Sequence, residues 1–441
     1  MDLVLLQETL AELGEPSFRA KQVWSWAARG ATGYEDMTDL PAALRSELAA
    51  RVPFSTLSVE RESSSKDGTV KALFHTADGR AIEAVLMRYR DGRHSVCVSS
   101  QSGCPLTCTF CATGQMRFAR NLTASEILDQ ALHFRRMSVV DHVIFMGMGE
   151  PMMNLDHVLE ACSRLPDVGV THRRTAISTV GWIPGIDRLT ETEMPIRLAL
   201  SLHAADEELR SQIMPVNDRY PLADVLDACE RFYAAKRRQV FVEYVMLAGV
   251  NDSRKHAIQL AAVLDPKIYK VNLIPYNPTD SIYDGSERDA IAAFRDVLVS
   301  KGVRATIRLT RGQDIDAACG QLAAKIVLNR PTERPVATSQ TQDLLVRPSA
   351  RFTSRHREGR DEGPLVRNRR SRGSAVCCYS SSPSCGGCAG ASGTPARASP
   401  ARSRRSRSSA VSSGVGSHSA TSGRSCREAM PNSFRKSDVV R

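Results

Sequence analysis

Apolar positions along the chain recur with two spacings, and the switch between them organises the reading. In the first 65 residues, Leu10, Leu13, Phe18, Val23, Trp24 and Trp26 fall at helical spacing around the breaker Gly14-Glu15-Pro16. Asp39-Leu40-Pro41 opens a further helix through Arg51, with Asp39 at the capping position. The period then drops to two. Thr69 to Thr76 and Ala81 to Tyr89 flank the turn Ala77-Asp78-Gly79, which predicts a hairpin, and His94 to Ser99 adds a third strand.

From residue 104 to 328 the two patterns alternate. Strands are expected at 142–146, 175–178, 196–202, 240–247, 270–274 and 304–309. Helices are expected at 123–136, 155–164, 183–191, 221–235, 252–264, 286–301 and 317–328, the first opened by the capping box Thr123-Ala124-Ser125-Glu126. Short strands separated by helices of this length imply βαβ units and a parallel sheet. The expected class is α/β, a partial (βα)6 barrel with ligand chemistry at the C-terminal ends of its strands. Four segments follow: a helical domain over 1–65, a β-hairpin extension over 66–100, the barrel over 101–330 and a tail over 331–441.

Charge sharpens those boundaries. The 441-residue chain carries a formal +11, yet residues 331–441 alone carry +13, which leaves −2 for residues 1–330. The tail holds 23 serines and only Phe352, Tyr379 and Phe434 as aromatics, so it is expected to be disordered. Its run Arg402-Ser403-Arg404-Arg405-Ser406-Arg407 suits nonspecific contact with RNA phosphates, although a solvated tail without a role explains it as well. No apolar run approaches the ~18 residues that span a bilayer. The N-terminus lacks the basic region of a secretory signal, so a cytoplasmic protein without membrane attachment is expected. Twelve cysteines in a reducing compartment then argue for metal or redox chemistry over a disulfide framework.

The strongest chemical signal is Cys104-Pro-Leu-Thr-Cys108-Thr-Phe-Cys111. Three thiolates on one loop can bind three irons of a [4Fe–4S] cluster and leave the fourth open to another ligand. A zinc site completed by a distant fourth ligand is the alternative. Cys385 and Cys388 in the tail have zinc-type spacing but no second pair. Cys162 and Cys229 lie on helical patterns and read as core.

The three-cysteine array, with Phe110 before its last cysteine, resembles the signature of the radical S-adenosylmethionine (radical-SAM) superfamily. Met146-Gly147-Met148-Gly149-Glu150-Pro151 resembles the element that receives the amino group of SAM. The narrower resemblance, over residues 10–328, is to dual-specificity 23S rRNA and tRNA adenine-C2 methyltransferases. It is carried by Val96 to Cys104, Met146 to Asn154, Ser201-Leu202-His203, Asn272 to Pro278 and Arg311 to Leu322.

That resemblance implies Cys104, Cys108 and Cys111 as cluster ligands. It implies Gly149, Glu150, Ser178, Ser201, Leu202, His203 and Asn277 as SAM contacts. It further implies that Cys319 is methylated by one SAM, and that a radical derived from a second SAM activates the S-methyl group for addition to C2. Cys97 then releases the product as a Cys97–Cys319 disulfide, and Glu83 accepts the C2 proton. Cys319 is expected at the start of the last helix, whose N-terminus favours a thiolate. The implied partners are 23S rRNA, tRNA, an electron donor of flavodoxin or ferredoxin type and a thiol reductant, acting on a monomer. Two readings compete: C8 methylation of the same rRNA base, as in the sister antibiotic-resistance family, and a non-enzymatic zinc-bound RNA-binding module.

Overall fold

The computed structural model describes residues 1–324. The 331–441 segment, with its cysteine pair and arginine run, lies outside the described residues, as does the distal part of the helix expected over 317–328.

The chain opens with three helices, α1 (Leu3–Glu12), α2 (Phe18–Arg29) and α3 (Ala42–Arg51). Trp24 on the buried face of α2 donates its indole N–H to Asp167 at 2.7 Å. Asp39 does not cap α3: Pro41 holds that position, and the Asp39 carboxylate accepts from Trp26 Nε1 at 2.6 Å. The helical segment also ends earlier than the expected residue 65.

Residues 57–64 instead form the first strand of a ten-stranded sheet. In chain order the strands are β1 (Leu57–Ser64), β2 (Val70–Thr76), β3 (Ala81–Arg88) and β4 (His94–Cys97). A separate two-stranded ladder, β5 (Gln101–Ser102) and β6 (Arg120–Asn121), follows. The main sheet resumes with β7 (His142–Phe145), β8 (Thr175–Thr179), β9 (Arg197–Ser201), β10 (Val240–Met246), β11 (Tyr269–Pro275) and β12 (Ala305–Ile307). Strands β1 to β4 are antiparallel, whereas β4 and all later strands of this sheet run parallel. The expected hairpin extension and barrel therefore form one continuous sheet, joined at β4.

The crossovers are α4 (Ala124–Met137), α5 (Leu155–Arg164), α6 (Ile183–Glu191), α7 (Glu207–Ile213), α8 (Leu222–Lys236), α9 (Arg254–Val263) and α10 (Arg288–Ser300). The Thr123 capping box is formed at α4. Helix α7 was not expected. It is too short to show a period, and Asp206 starts it by accepting from Leu209 N.

Strand parity separates two environments. Val96, Val143, Ile177, Leu198, Leu200, Val242, Val271 and Leu273 are fully or almost fully buried on the helix-covered side. The opposite side mixes apolar with polar and charged residues. Val85 pairs with both Lys71 and Cys97, and Cys97 pairs with Ile144, so these residues share the inner face. Along the same face stand Ser178, Ser201, Glu243, Asn272 and Thr306, with Arg308 just beyond β12. Cys162 and Cys229 sit fully buried on helices, as expected for core thiols.

The sheet remains open between its edge strands β12 and β1, and a strap after β12 reaches the β1–β2 turn and β2. Asp67 accepts from Gly312 N at 3.0 Å, Asp314 accepts from Lys66 N at 3.3 Å, and Lys71 Nζ donates to Asp316 O at 3.1 Å. The strap cannot start the expected helix. Gly312, Asp316 and Gly320 all take left-handed backbone conformations, and residues 321–324 are non-helical.

Helix α10 anchors the far side of the sheet through Phe294, whose ring lies 5.2 Å from that of Tyr244 on β10. Phe294→Ala should therefore cost about 3–5 kcal/mol of stability, measured by chemical denaturation of the full chain.

Candidate active site

The loop after β4 organises the C-terminal mouth of the barrel. Gln130 on α4 grips Ser99 at both ends, accepting from its backbone N–H at 2.7 Å and donating to its carbonyl at 3.0 Å. The Ser99 hydroxyl donates to Glu83 O and accepts from Met148 N at 2.8 Å, while Gln101 Oε1 accepts from Glu150 N at 2.8 Å. The Met146–Glu150 turn is thereby fixed against the root of the cysteine loop. Its glycines serve this packing: a Cβ on Gly149 would lie 2.4 Å from the Gln101 side chain, and Gly149 has φ +92.

The three cysteines of the loop are free thiols. Burial pushes Cys104 up to about 12 and Cys108 well above its ordinary value. Cys111 is raised as well, chiefly by burial. Negative charge on Cys111 and Cys104 adds to the rise at Cys108, so the three sulfurs act on one another. Among the described residues, no three His, Cys, Asp or Glu side chains stand in coordinating positions around a common point. The donor set nevertheless fits an iron–sulfur cluster: three soft sulfur ligands on one loop, in a setting where only a strong cation would hold them deprotonated. Phe110 packs edge-on against His203, with ring centroids 4.8 Å apart.

His203 has φ +58, and its Nδ1 accepts from Val245 N at 3.0 Å, which leaves the ring proton on Nε2. Burial, then the Arg210 charge, lower it to about 3, so the ring is neutral. Arg210 is itself fully buried and donates to Leu202 O at 3.2 Å and Val180 O at 2.7 Å. Glu150 accepts from Met152 N and Val180 N, both at 3.0 Å, and burial raises it to about 7.

A cleft of about 780 Å³, open to solvent, collects Gly149, Glu150, Ser178, Ser201 and His203 with Cys111 and Cys319. Leu202 does not line it. That side chain is fully buried, and its carbonyl serves Arg210. Asn277 stands in an adjoining cavity with Cys97 and Cys319. Its Nδ2 donates to Cys319 O at 3.0 Å, and its buried Oδ1 has no partner among the described residues.

Cys319 lies on a turn and not at a helix start. The turn is tied to the cysteine loop where Ala112 N donates to Gly320 O at 2.8 Å and Thr113 Oγ1 donates to Leu322 O. Burial holds Cys97 up to about 12, and negative charge on Cys319 adds to the effect. Glu83 shares the inner face with Cys97 but does not line either cavity. Its Oε1 lies 3.0 Å from Lys71 Nζ, and its Oε2 accepts from Ala323 N and Ala324 N, both at 3.0 Å.

Two charged side chains escaped the sequence reading, the half-buried Arg308 and the buried Glu243. Arg308 lines both cavities and donates to Glu243 at 3.3 Å. Charge on Cys319, more than any other group, holds its guanidinium above its ordinary value. Glu243 in turn accepts from Asn272 at 2.9 Å. The available signal was a lone acid within the otherwise apolar strand Val240–Leu247.

An open parallel barrel with three thiols on the loop after its first parallel strand defines a radical-SAM protein, and the Radical SAM superfamily model matches residues 98–261. The ribosomal RNA large subunit methyltransferase N-terminal domain model matches residues 1–53. The chain is 45% identical over 342 residues to a probable dual-specificity RNA methyltransferase RlmN of Chloroflexus aurantiacus, covering 73% of this chain and 90% of that protein. It is 42% identical over 332 residues to the dual-specificity RNA methyltransferase RlmN of Geobacter sulfurreducens, covering 74% and 92%. A crystal structure of a radical SAM methyltransferase from Sphaerobacter thermophilus superposes with TM-score 0.70 at 42% identity, covering 74% and 98%. The chain belongs to the RlmN family of dual-specificity RNA methyltransferases. Superfamily membership implies an iron–sulfur cluster and SAM.

A thiol raised from 9.0 to about 12 has roughly a thousandfold less thiolate at pH 8. Iodoacetamide should therefore label Cys97 about a thousandfold more slowly than an ordinary cysteine, with the rate rising tenfold per pH unit. Peptide mass spectrometry of the reduced chain reads both.

Proposed function

We propose that the protein methylates C2 of an adenine in 23S rRNA and of an adenine near the anticodon of certain tRNAs. The observation that carries this reading is the placement of Cys97 and Cys319 in one cavity beside the three-cysteine loop. Adenine C2 is electron-poor and does not attack a sulfonium methyl directly, so a methyl carrier on the protein answers a chemical need. A [4Fe–4S] cluster on Cys104, Cys108 and Cys111, together with two SAM molecules per turnover, supplies the methyl group and the hydrogen-abstracting radical.

The chain's own residues do the rest. Glu150 receives the SAM amino group, Gly149, Ser178, Ser201 and His203 line its cleft, and Asn277 Oδ1 offers an acceptor. Leu202 acts at one remove, through the carbonyl that holds Arg210. Cys319 takes the methyl group on sulfur and presents it to C2. Glu83 accepts the C2 proton, which requires exchange of one of its present hydrogen bonds. Cys97 attacks the Cys319 sulfur. The radical adduct gives up one electron along with the C2 proton; the bond from that sulfur to the carbon now attached to C2 then breaks with its electron pair on the carbon, a proton completes the methyl group, and a disulfide remains for a thiol reductant to open. Arg308 faces both sulfurs and steadies their negative charge. Electrons come from a donor of flavodoxin or ferredoxin type. A monomer in the cytoplasm suits this need for reducing equivalents. Among the described residues no helix is long and apolar enough to cross a membrane. Residues 1–65 assist RNA binding, and the 331–441 tail is dispensable.

Anaerobic reconstitution with SAM, a reductant and an rRNA fragment should yield 2-methyladenine in a nuclease digest read by mass spectrometry. An 8-methyl product would replace this regiochemistry, and a colourless zinc protein without SAM cleavage would replace the enzyme reading. Cys97→Ala should accumulate a covalent RNA–protein species visible on a denaturing gel, and normal product release would remove Cys97 from its role. Glu150 is charged above about pH 7 and neutral below it. SAM affinity should therefore fall about tenfold from pH 8 to pH 6, and Glu150→Gln should abolish that dependence, both measured by equilibrium binding.

A further inference from the structure

The other end of the barrel, where the strands begin, carries groups that no proposed step uses. A basin of about 1040 Å³, open to solvent, has Arg93, Arg173, Arg174 and Arg197 in its walls. Arg93 is paired with Asp91 at 2.8 Å, and Arg174 lies 3.7 Å from Asp141. Arg173 and Arg197 have no carboxylate partner among the described residues. Arg197 lies instead over the face of Phe241, 4.7 Å from its centroid, and Lys270 Nζ approaches the same ring at 5.8 Å. The neighbouring Arg238 feels both Arg197 and Arg173 as repelling charges. His142 lines the basin with a buried Nδ1 that has no partner among the described residues.

Glu243 also lines the basin but is paired with Arg308, so Arg173 and Arg197 are left as cations without a carboxylate partner among the described residues, in a stretch, residues 1–330, that is otherwise almost neutral. Such a gathering is relieved by an anion. The ring of Phe241 is already covered by cations, so the basin offers charge and hydrogen bonds more than a stacking face. Tyr89, Ile144, Met146 and Arg308 belong both to this basin and to the cavity that holds Cys97 and Cys319. A ligand in the basin is therefore continuous with one at the thiols.

We propose that the N-terminal mouth of the barrel is a phosphate-binding site for the RNA backbone, holding a phosphodiester of a nucleotide that flanks the target adenine. This rests on the RNA-methylation reading. Arg173 and Arg197 are the principal ligands, and the bound phosphate sets which way the strand enters the cavity.

The test uses the full chain and a short single-stranded RNA oligonucleotide, with binding followed by fluorescence anisotropy from low to high salt. Arg173 is exposed, so Arg173→Glu leaves packing intact; Arg197→Gln provides a second variant, with thermal melts to check folding. Each should reduce the slope of log K against log salt by about 0.7, the value for one lost phosphate contact on a single strand, while SAM affinity stays unchanged. Unchanged slopes in both variants would overturn the proposal. Parallel titrations with inorganic phosphate and AMP separate the sources. If these bind the parent protein and are lost in the variants while the RNA slope does not move, the site serves a free phosphate compound and the RNA assignment falls. Adenine methylation by the parent protein is scored separately. A changed slope without methylation would remove the reaction reading and leave the phosphate site standing.

Discussion

The Glu83 carboxylate joins parts of the molecule that the sheet alone cannot join. One oxygen meets Lys71 on the neighbouring strand, and the other receives two backbone N–H groups from Ala323 and Ala324. Those four residues come from a hairpin and from the segment that follows the last strand. An open sheet has no ladder to offer across its gap, and charge-assisted hydrogen bonds in a buried setting fill that need. Once the 321–324 segment is held, Gly320 and Leu322 reach the cysteine loop, and Cys319 comes to face the strand that carries Cys97. The geometry of the candidate site thus descends from one buried acid on β3.

The polar and charged groups of the inner face shape the rest. A filled barrel places branched apolar side chains inside. Here the interior carries Glu243, Asn272, Thr306 and Arg308 in one connected network, and the hydrophobic core lies outside it, under the helices. The interior is thereby free to hold a large polar ligand. Desolvation then acts selectively: it raises Glu150 and the thiols and lowers His203, so each group rests in its neutral form or close to the switch between forms.

Much of the architecture was legible because helix and strand periods alternate cleanly between Thr123 and Ser300. The three-cysteine loop and the glycine turn were legible because their chemistry depends on local spacing. Other features depend on contacts that no spacing encodes. Leu57 to Ser64 is exposed on most of its length and gains strand character only by pairing with β2. The expected helix at 317 fails because Asp316 and Gly320 adopt left-handed conformations within the strap. Arg210 and Arg308 carry no local signal, because nothing nearby in sequence announces the carbonyls and sulfurs they meet after folding.

The two sulfurs stand on unequal supports. Cys97 is the last residue of β4, in register with Val85 on one side and Ile144 on the other, so its position is set by two ladders. Cys319 belongs to a turn outside the sheet, held by hydrogen bonds from Asn277 and from the cysteine loop and by no ladder. An encounter between such groups is an intramolecular search by one partner against a fixed target. The length of the tether, more than the intrinsic reactivity of either thiol, then governs their effective concentration. The proposed disulfide would then close at a pace set by the residues between Arg308 and Gly320, where insertions or deletions would retune it without touching the barrel.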